Sequence, residues 1–281
     1  MKTAVVGLGL IGGSVARRLR GFRGTKIAAC DTDTETLALA KTDGVIDEGS
    51  THADIISDAD FIILCMYPQL NIDFVRENLC RIKSGAVICD VSGIKGYITK
   101  EIAKFLPHNI DFVGAHPMAG REVSGYKSST DTLFDNASFI ITPTESNRPE
   151  SIALVREFAS YIGCRHVVTT SPEEHDEMIA YTSQLMHVVA AALCDNPMLE
   201  RSACFSAGSL RDCTRVAVLN EKMWSELFCE NSTALCKRID EMQQSLEKIK
   251  TAVAAEDREE LEKIMRRVTE RKKKYLMEQS K

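Results

Sequence analysis

The chain opens with the stretch MKTAVVGLGLIGGS, Met1 to Ser14, in which a short apolar run leads directly into a cluster of glycines. This order predicts a buried strand, a tight turn and then a helix, with the glycine spacing of a dinucleotide-binding loop. Gly7 permits the turn, Gly9 lets the backbone approach a pyrophosphate, and Gly12 lets the helix pack closely on the strand. The stretch therefore predicts an α/β domain of the Rossmann type.

The residues around this loop strengthen the interpretation. Leu10 and Ile11 would begin the turn of backbone amides that faces the phosphates, and an amphipathic helix is predicted over 14–19. A second strand, predicted over Lys26 to Cys30, ends directly before Asp31. The glycines therefore stand in the strand, loop and helix context that the dinucleotide fingerprint requires.

Asp31 is the candidate for recognition of the cofactor's ribose. It follows the glycines by about 20 residues, where a carboxylate can accept from the ribose hydroxyls and repel a 2′-phosphate. The sequence therefore favours NAD over NADP. Asp33 and Glu35 are alternatives, since all three acids are also typical of a turn or a helix start.

The composition excludes several classes of protein. The chain has 281 residues, 44% of them hydrophobic, and a net charge of −5, so we expect globular domains without a basic surface for nucleic acid. No apolar run reaches the roughly 18 residues of a membrane span, and no signal peptide is apparent, so we expect a cytoplasmic protein. The ten cysteines include no Cys-x-x-Cys pair, which favours buried thiols over disulfides or a metal site.

The chain divides into two parts by its secondary-structure pattern. Strands and helices alternate up to about residue 168, after which a long helix is predicted from Pro172 to Cys194, with Ser171 as its N-cap, and more helix follows. We therefore predict a doubly wound NAD-binding domain over 1–170 and an all-α substrate and dimerisation domain over 171–281. The predicted strands are Thr3–Gly7, Lys26–Cys30, Phe61–Cys65, Ala86–Asp90, Asp111–Ala115, Ser138–Thr142 and Arg165–Val168.

His116 is the candidate general base. It ends a predicted strand, and in open α/β sheets the ligand crevice lies beyond the carboxyl ends of the strands. Pro117 restricts the backbone next to it, and the segment Asp90-Val-Ser-Gly-Ile-Lys95 ends a neighbouring strand. An isolated histidine is more often structural, but its place at the strand end favours a catalytic role.

Two further groups of polar residues lie in the helical part. Ser183 and His187 are four residues apart and share a helix face, where they form either part of a site or a hydrogen bond in the core. Arg211 and Arg215 are also one turn apart and would suit an anionic substrate, although with Asp212 between them they could form a surface ion-pair cluster.

Several of these segments together resemble the prephenate/arogenate dehydrogenases of tyrosine biosynthesis over nearly the whole chain. The most specific are His116-Pro-Met-Ala-Gly120 with Ser124-Gly125, His175-Asp176 with Ser183 to His187, and Arg211-Asp-Cys-Thr-Arg215 with Met223-Trp224.

The resemblance implies an oxidative decarboxylation in which NAD takes a hydride from the ring carbon that bears the hydroxyl, and loss of CO2 makes the ring aromatic. It implies that His116 removes the hydroxyl proton, that Arg215 binds a substrate carboxylate, and that His187 contacts the substrate. Ser183 would orient the substrate or His187, and Arg211 would add positive charge. Prephenate would yield 4-hydroxyphenylpyruvate, and arogenate would yield tyrosine.

Two positions depart from the family pattern. Many members carry a serine at the place of Gly93, where it can bond the catalytic histidine, whereas this chain has Ser92 one position earlier. Ser92 is therefore the candidate for the substrate site in its place. Arg121 stands where many relatives have a small hydroxyl residue, and it could bind a substrate carboxylate or pair with Glu122.

The resemblance also implies a homodimer through the C-terminal helices, and any inhibition by tyrosine is expected at the active site because the length leaves no room for a regulatory domain. Two alternatives stay open at this point. A β-hydroxyacid-type NAD-dependent dehydrogenase shares the glycine loop and architecture, and a non-catalytic NAD-sensing protein would need no catalytic histidine.

Overall fold

The computed structural model describes residues 1–279, and their central feature is one sheet of eight strands in the order β3-β2-β1-β4-β5-β6-β7-β8. The order 3-2-1-4-5-6 is that of the dinucleotide-binding fold, so the predicted fold class is confirmed. The strands are β1 Lys2–Val6, β2 Lys26–Cys30, β3 Glu48–Ser50, β4 Phe61–Leu64, β5 Val87–Asp90, β6 Asp111–Pro117, β7 Ser138–Thr142 and β8 His166–Thr169.

The first six strands are parallel, and β7 pairs antiparallel to β6 while β8 pairs parallel to β7. The reversal follows from the connection between β6 and β7, which carries a single short 3-10 turn, Tyr126–Ser128, instead of a crossover helix. All seven predicted strands are present within one or two residues of their predicted ends, whereas β3 was not predicted.

Helices cover the sheet and form the rest of the chain. The predicted helix over 14–19 was wrong in its start, because α1 begins four residues earlier, directly after the glycine loop. The helices are α1 Leu10–Arg18, α2 Thr34–Thr42, α3 Pro68–Asn78, α4 Gly96–Ala103, α5 Pro149–Tyr161, α6 Pro172–Ile179, α7 Leu185–Cys194, α8 Met198–Arg201, α9 Gly208–Thr214, α10 Glu221–Glu230, α11 Ser232–Ala254 and α12 Arg258–Gln279.

The core lies on both faces of the sheet. Successive residues of a strand point to opposite faces, so Val5 of β1 joins one buried cluster and its neighbours Ala4 and Val6 join the other. In β4, Ile63 packs with the first cluster and Ile62 with the second. Burial on both faces explains why these strands read as continuous apolar runs.

The helix predicted over 172–194 is continuous, with one irregularity. α6 begins after Ser171, whose hydroxyl accepts from the Glu174 amide at 3.1 Å, as predicted for the N-cap. Residues 180–184 form one π-helical turn before α7 continues to Cys194. Such turns are rare and are frequently found at functional sites.

The chain folds into two compact units, Met1–Ser232 and Thr233–Lys281. The first unit holds the sheet together with α6 to α10, and the second consists of nearly all of α11 together with α12. The predicted domain boundary near residue 170 coincides with the end of the last strand and stays a prediction. Over residues 1–279, no helix combines the length and the apolar content that crossing a membrane requires.

Candidate active site

The glycine loop has the geometry that a dinucleotide needs. Gly7 has a φ of +88°, a left-handed conformation that favours glycine, and a Cβ on Gly12 would lie 1.8 Å from the Gly7 carbonyl oxygen. A Cβ on Gly9 would meet no atom within 4 Å, so the space in front of α1 is open. Leu10 and Ile11 form the first turn of that helix, and their contact with the phosphates stays a prediction.

Asp31 is tied to this loop. Its Oδ2 accepts from the Leu8 amide at 2.6 Å and its Oδ1 from the Asp33 amide at 2.9 Å. Asp33 instead caps α2 by accepting from the amides of Glu35 and Thr36. The hydrogen bonds from Thr36 and Glu35 lower the pKa of Asp33. Asp31 therefore remains the better-placed acid for a ribose, and Asp33 has a capping role.

His116 lies at the end of β6, on the same sheet edge as the glycine loop. Its Nδ1 is 2.9 Å from Nε2 of His175, and the two rings meet edge to face with centroids 5.2 Å apart. Burial, then the neighbouring His175 and Lys95, hold the pKa of His116 well below its usual range. His116 is therefore neutral at neutral pH, as a general base must be.

His175 connects His116 to a buried carboxylate. Its Nδ1 is 2.7 Å from Oδ1 of Asp176, and His175 is only 2% exposed. Burial lowers the pKa of His175, and its hydrogen bond to Asp176 opposes that shift. His175 and Asp176 were expected only as part of a family motif, and the contact of His175 with His116 was not predicted. The signal available in the sequence was an adjacent His-Asp pair near the start of the long helix.

Asp176 is held by the segment that follows β5. The amides of Lys95 and Gly96 donate to its two carboxylate oxygens at 2.8 and 2.7 Å. Lys95 is itself completely buried, with its ammonium group paired to Asp90. The strand-end segment predicted to flank the crevice thus carries a buried ion pair and fixes the carboxylate behind the two histidines.

Ser92 does not reach His116. Its hydroxyl donates to Asp90 and lies 3.3 Å from Lys95 Nζ, so it takes part in the buried ion pair, and its expected place in the substrate site stays a prediction. Gly93 is the closer position, because a Cβ built on it would lie 4.0 Å from Cε1 of His116.

His187 packs against an aromatic residue. Its ring centroid is 3.7 Å from that of Trp224, with 30° between the planes. Its Nδ1 is 3.0 Å from the backbone oxygen of Ser183, so the expected Ser183–His187 contact uses the carbonyl and not the hydroxyl. Burial lowers the pKa of His187. Since Nδ1 donates to a carbonyl, Nε2 of the neutral ring is left as an acceptor.

Helix α10 brings the two histidine clusters to one place. Trp224 and Leu227 are three residues apart and share a face of this helix. Trp224 stacks on His187, and the same hypothetical Cβ on Gly93 that approaches His116 would lie 3.6 Å from Leu227 Cδ2. His116 and His187 therefore border the same face of α10.

The candidate arginines differ in their surroundings. Arg215 is ion-paired with Glu122, 93 residues earlier, and its side chain is 65% exposed. Glu122, which the sequence offered as a possible partner of Arg121, is instead paired with Arg215. Arg121 is exposed and lines a cavity of about 430 Å³ beside the His116-Pro-Met-Ala-Gly120 segment. Arg211 is 82% exposed with Asp212 at 3.7 Å, the surface arrangement considered as its alternative.

Comparison with known proteins finds two family models that match this chain. The nucleotide-binding domain of prephenate dehydrogenase matches residues 15–168, and the dimerization domain of prephenate dehydrogenase matches residues 171–267.

Individual proteins agree with these models. Prephenate dehydrogenase of Bacillus subtilis is 31% identical over 92% of this chain and 71% of its own length. Cyclohexadienyl dehydrogenase of Zymomonas mobilis is 31% identical over 90% of this chain and 89% of its own. The crystal structure of A. aeolicus prephenate dehydrogenase with hydroxyphenyl propionate and NAD+ superposes with a TM-score of 0.88 and 30% identity, covering 98% of both chains. The chain therefore belongs to the prephenate dehydrogenase family and is an oxidoreductase with that family's nucleotide-binding and dimerization domains.

Proposed function

We propose that the protein oxidises and decarboxylates prephenate to 4-hydroxyphenylpyruvate with NAD as the hydride acceptor, a step of tyrosine biosynthesis. The observation that carries the proposal is the position of His116 at the carboxyl edge of the sheet that also carries the glycine loop, with its Nδ1 hydrogen-bonded to His175 and its pKa held well below the usual range by burial. A base in this position suits removal of a hydroxyl proton while a hydride leaves the same carbon.

The residues present fit NAD. The loop of Gly7, Gly9 and Gly12 leaves open space before α1, and Gly9, its N-cap residue, offers no side-chain cap. The Asp31 carboxylate has about four acceptor positions, and the two amide contacts leave capacity for ribose hydroxyls. When bound, NAD supplies the acceptor for the hydride.

The side chain of His116 would carry out the proton transfers that accompany hydride loss and decarboxylation. Nε2 of His116 accepts the hydroxyl proton as the hydride departs, which gives the carbinol carbon carbonyl character. The bond between the ring and its carboxylate then breaks, its electron pair enters the ring as CO2 leaves, and His116 returns the proton to the phenolate oxygen. The balance is one prephenate and one NAD+ converted to one 4-hydroxyphenylpyruvate, one CO2 and one NADH.

Arg215 and His187 are the proposed substrate contacts. Prephenate carries two carboxylates, and a guanidinium group can bind one of them bidentately. Arg215 is held by Glu122 at the surface, so a substrate carboxylate would exchange with that of Glu122. Nε2 of His187 is free to act as an acceptor, and the Trp224 ring limits how the imidazole can turn. Arg211 and Arg121 are proposed as secondary sources of positive charge.

We propose a homodimer for the assembly, formed through α11 and α12. Both helices expose large apolar side chains at helical spacing, and these are about half exposed: Leu246, Val253, Met265 and Val268. The match to a dimerization domain supports this assignment.

The proposal extends to regulation and compartment. Tyrosine carries the same phenol as the product and would compete for the active site. All ten cysteines are free thiols, which suits a reducing cytoplasm. The prediction that they are buried was wrong for the five exposed ones, Cys80, Cys204, Cys213, Cys229 and Cys236.

The test is NADH formation measured by absorbance with prephenate, arogenate and a 3-hydroxy acid, with mass spectrometry of the product. We expect the highest kcat/KM with prephenate, and 4-hydroxyphenylpyruvate as the product. A preference for arogenate, with tyrosine as the product, would move the assignment to the other substrate of the family. Oxidation of the 3-hydroxy acid alone would overturn it.

A further inference from the structure

His175 has no role in the reaction described so far, yet it is the direct partner of the proposed base. The side chains of His116, His175 and Asp176 form a line of hydrogen bonds. The distance from His116 Nδ1 to His175 Nε2 is 2.9 Å, and that from His175 Nδ1 to Asp176 Oδ1 is 2.7 Å. His175 is 2% exposed and Asp176 is 8% exposed, so bulk water is not available as a substitute partner. The positions of the protons in this line can be worked out from the far end.

Asp176 can only accept. Its Oδ1 receives the Lys95 amide at 2.8 Å and its Oδ2 receives the Gly96 amide at 2.7 Å, and backbone amides have no other role than donor. Two donated hydrogen bonds favour the ionised carboxylate, which has no proton to give. His175 must therefore donate to Asp176 from Nδ1.

The nitrogen that carries the proton in His175 determines which nitrogen carries it in His116. Burial lowers the pKa of His175, so the ring is neutral and carries one proton, which is on Nδ1. Its Nε2 is then an acceptor, and the facing Nδ1 of His116 must be the donor. The single proton of neutral His116 is therefore on Nδ1, and Nε2 carries the lone pair.

We propose that His175, oriented by Asp176, is a positioning residue that fixes His116 in the tautomer whose Nε2 can accept the substrate's proton. The proposal deepens the proposed function and rests on His116 being its base. Without a partner, neutral imidazole places its proton on either nitrogen, and the form protonated on Nε2 could not act as a base from that atom.

The residues around this line of hydrogen bonds are themselves hydrogen-bonded to one another. Asn231 donates from Nδ2 to the Asp176 backbone oxygen at 2.9 Å and to Gln184 Oε1 at 2.7 Å, which joins α6 to the π-helical turn. The charged groups that face the two histidines are Asp176, Lys95 and Asp90. Glu230 lies near Asp176, and burial raises its pKa to about 8. The positive charge of Lys95 disfavours a second proton on either imidazole ring, so His116 and His175 both stay neutral.

The test compares His175→Phe with His175→Gln. Phenylalanine fills the space without an acceptor, and glutamine offers an amide oxygen close to the place of Nε2. For prephenate oxidation we expect kcat of His175→Phe to fall by about 10²-fold with KM changed by less than about threefold, because only the proton transfer is affected. His175→Gln should recover at least about tenfold of that loss. His166→Phe, on the exposed strand β8, serves as the control and should leave both parameters unchanged.

A second readout does not depend on catalysis. Nitrogen NMR of 15N-histidine-labelled protein distinguishes protonated from unprotonated ring nitrogens, and His116→Asn assigns the His116 signals among the six histidines. We expect His116 of the wild type to be protonated on Nδ1, and His175→Phe to shift it toward Nε2. A wild-type His116 protonated on Nε2, or full kcat in His175→Phe, would overturn the proposal. If the wild type does not oxidise prephenate, the proposed function fails while the NMR still decides the tautomer.

Discussion

Asp31 offers the sharpest test of how the protein chooses its cofactor. The side chain is half-buried, and two of its roughly four acceptor positions are taken by the amides of Leu8 and Asp33. The remaining positions are expected to accept from the ribose hydroxyls of NAD. A charge-assisted hydrogen bond contributes about 1.5–3 kcal/mol, so losing one such bond corresponds to roughly 10–150-fold in Kd. We expect a loss equal to the free energy of one such hydrogen bond, because at a half-buried site water replaces part of a second hydrogen bond to the ribose.

Asp31→Ala should therefore raise the Kd for NAD by roughly 10–150-fold, measured by calorimetry or by quenching of Trp224 fluorescence. The Kd for NADP should change less or fall, since the carboxylate that repels a 2′-phosphate is gone. Asp31→Ala also leaves the Leu8 amide without its acceptor, and Leu8 is 1% exposed, so a loss of about 1–3 kcal/mol of stability is expected.

Asp31→Asn is the matched control, because its amide oxygen can still accept from Leu8. It should keep most of the stability while losing the discrimination against NADP. Equal losses of NAD and NADP affinity in both variants, or a wild type that prefers NADP, would show that Asp31 does not select the cofactor.

Three further predictions concern the substrate site, pH and assembly. Arg215→Ala should raise KM for prephenate by roughly 10–150-fold with a smaller change in kcat, and an unchanged KM would remove the proposed role of Arg215. Arg211→Ala should change KM less, because the Arg211 side chain is 82% exposed. Because burial lowers the pKa of His116, its neutral form persists on acidification, and kcat/KM should stay level through pH 6.5 and decline only well below it; a midpoint at or above 6.5 would contradict this. Light scattering at micromolar concentration should give a dimer mass, and the pair Leu246→Glu and Val253→Glu on α11 should give a monomer; a monomeric wild type would count against the assembly.

The sequence was sufficient for the fold where local patterns carry the information. The apolar runs of β1, β2 and β4, the glycine spacing and the Ser171 cap each depend on neighbours in the chain. β3 was missed because three residues, Glu48 to Ser50, at the sheet edge give no apolar run.

The site was predicted less completely, because its contacts join distant parts of the chain. His116 was found from its place at a strand end, but its partner His175 is 59 residues away and is brought there by α6. The Arg215–Glu122 pair spans 93 residues. The Ser92 hydroxyl turns inward to Asp90, a contact that the sequence pattern does not indicate.

The most direct test of the account is the turnover of His116→Asn with prephenate and NAD, measured beside the Kd values of both ligands. We expect a folded protein that binds both ligands within a few-fold of the wild type, with kcat lower by about 10²–10⁴-fold because the base acts only in the transition state. Near-wild-type turnover in His116→Asn would contradict it.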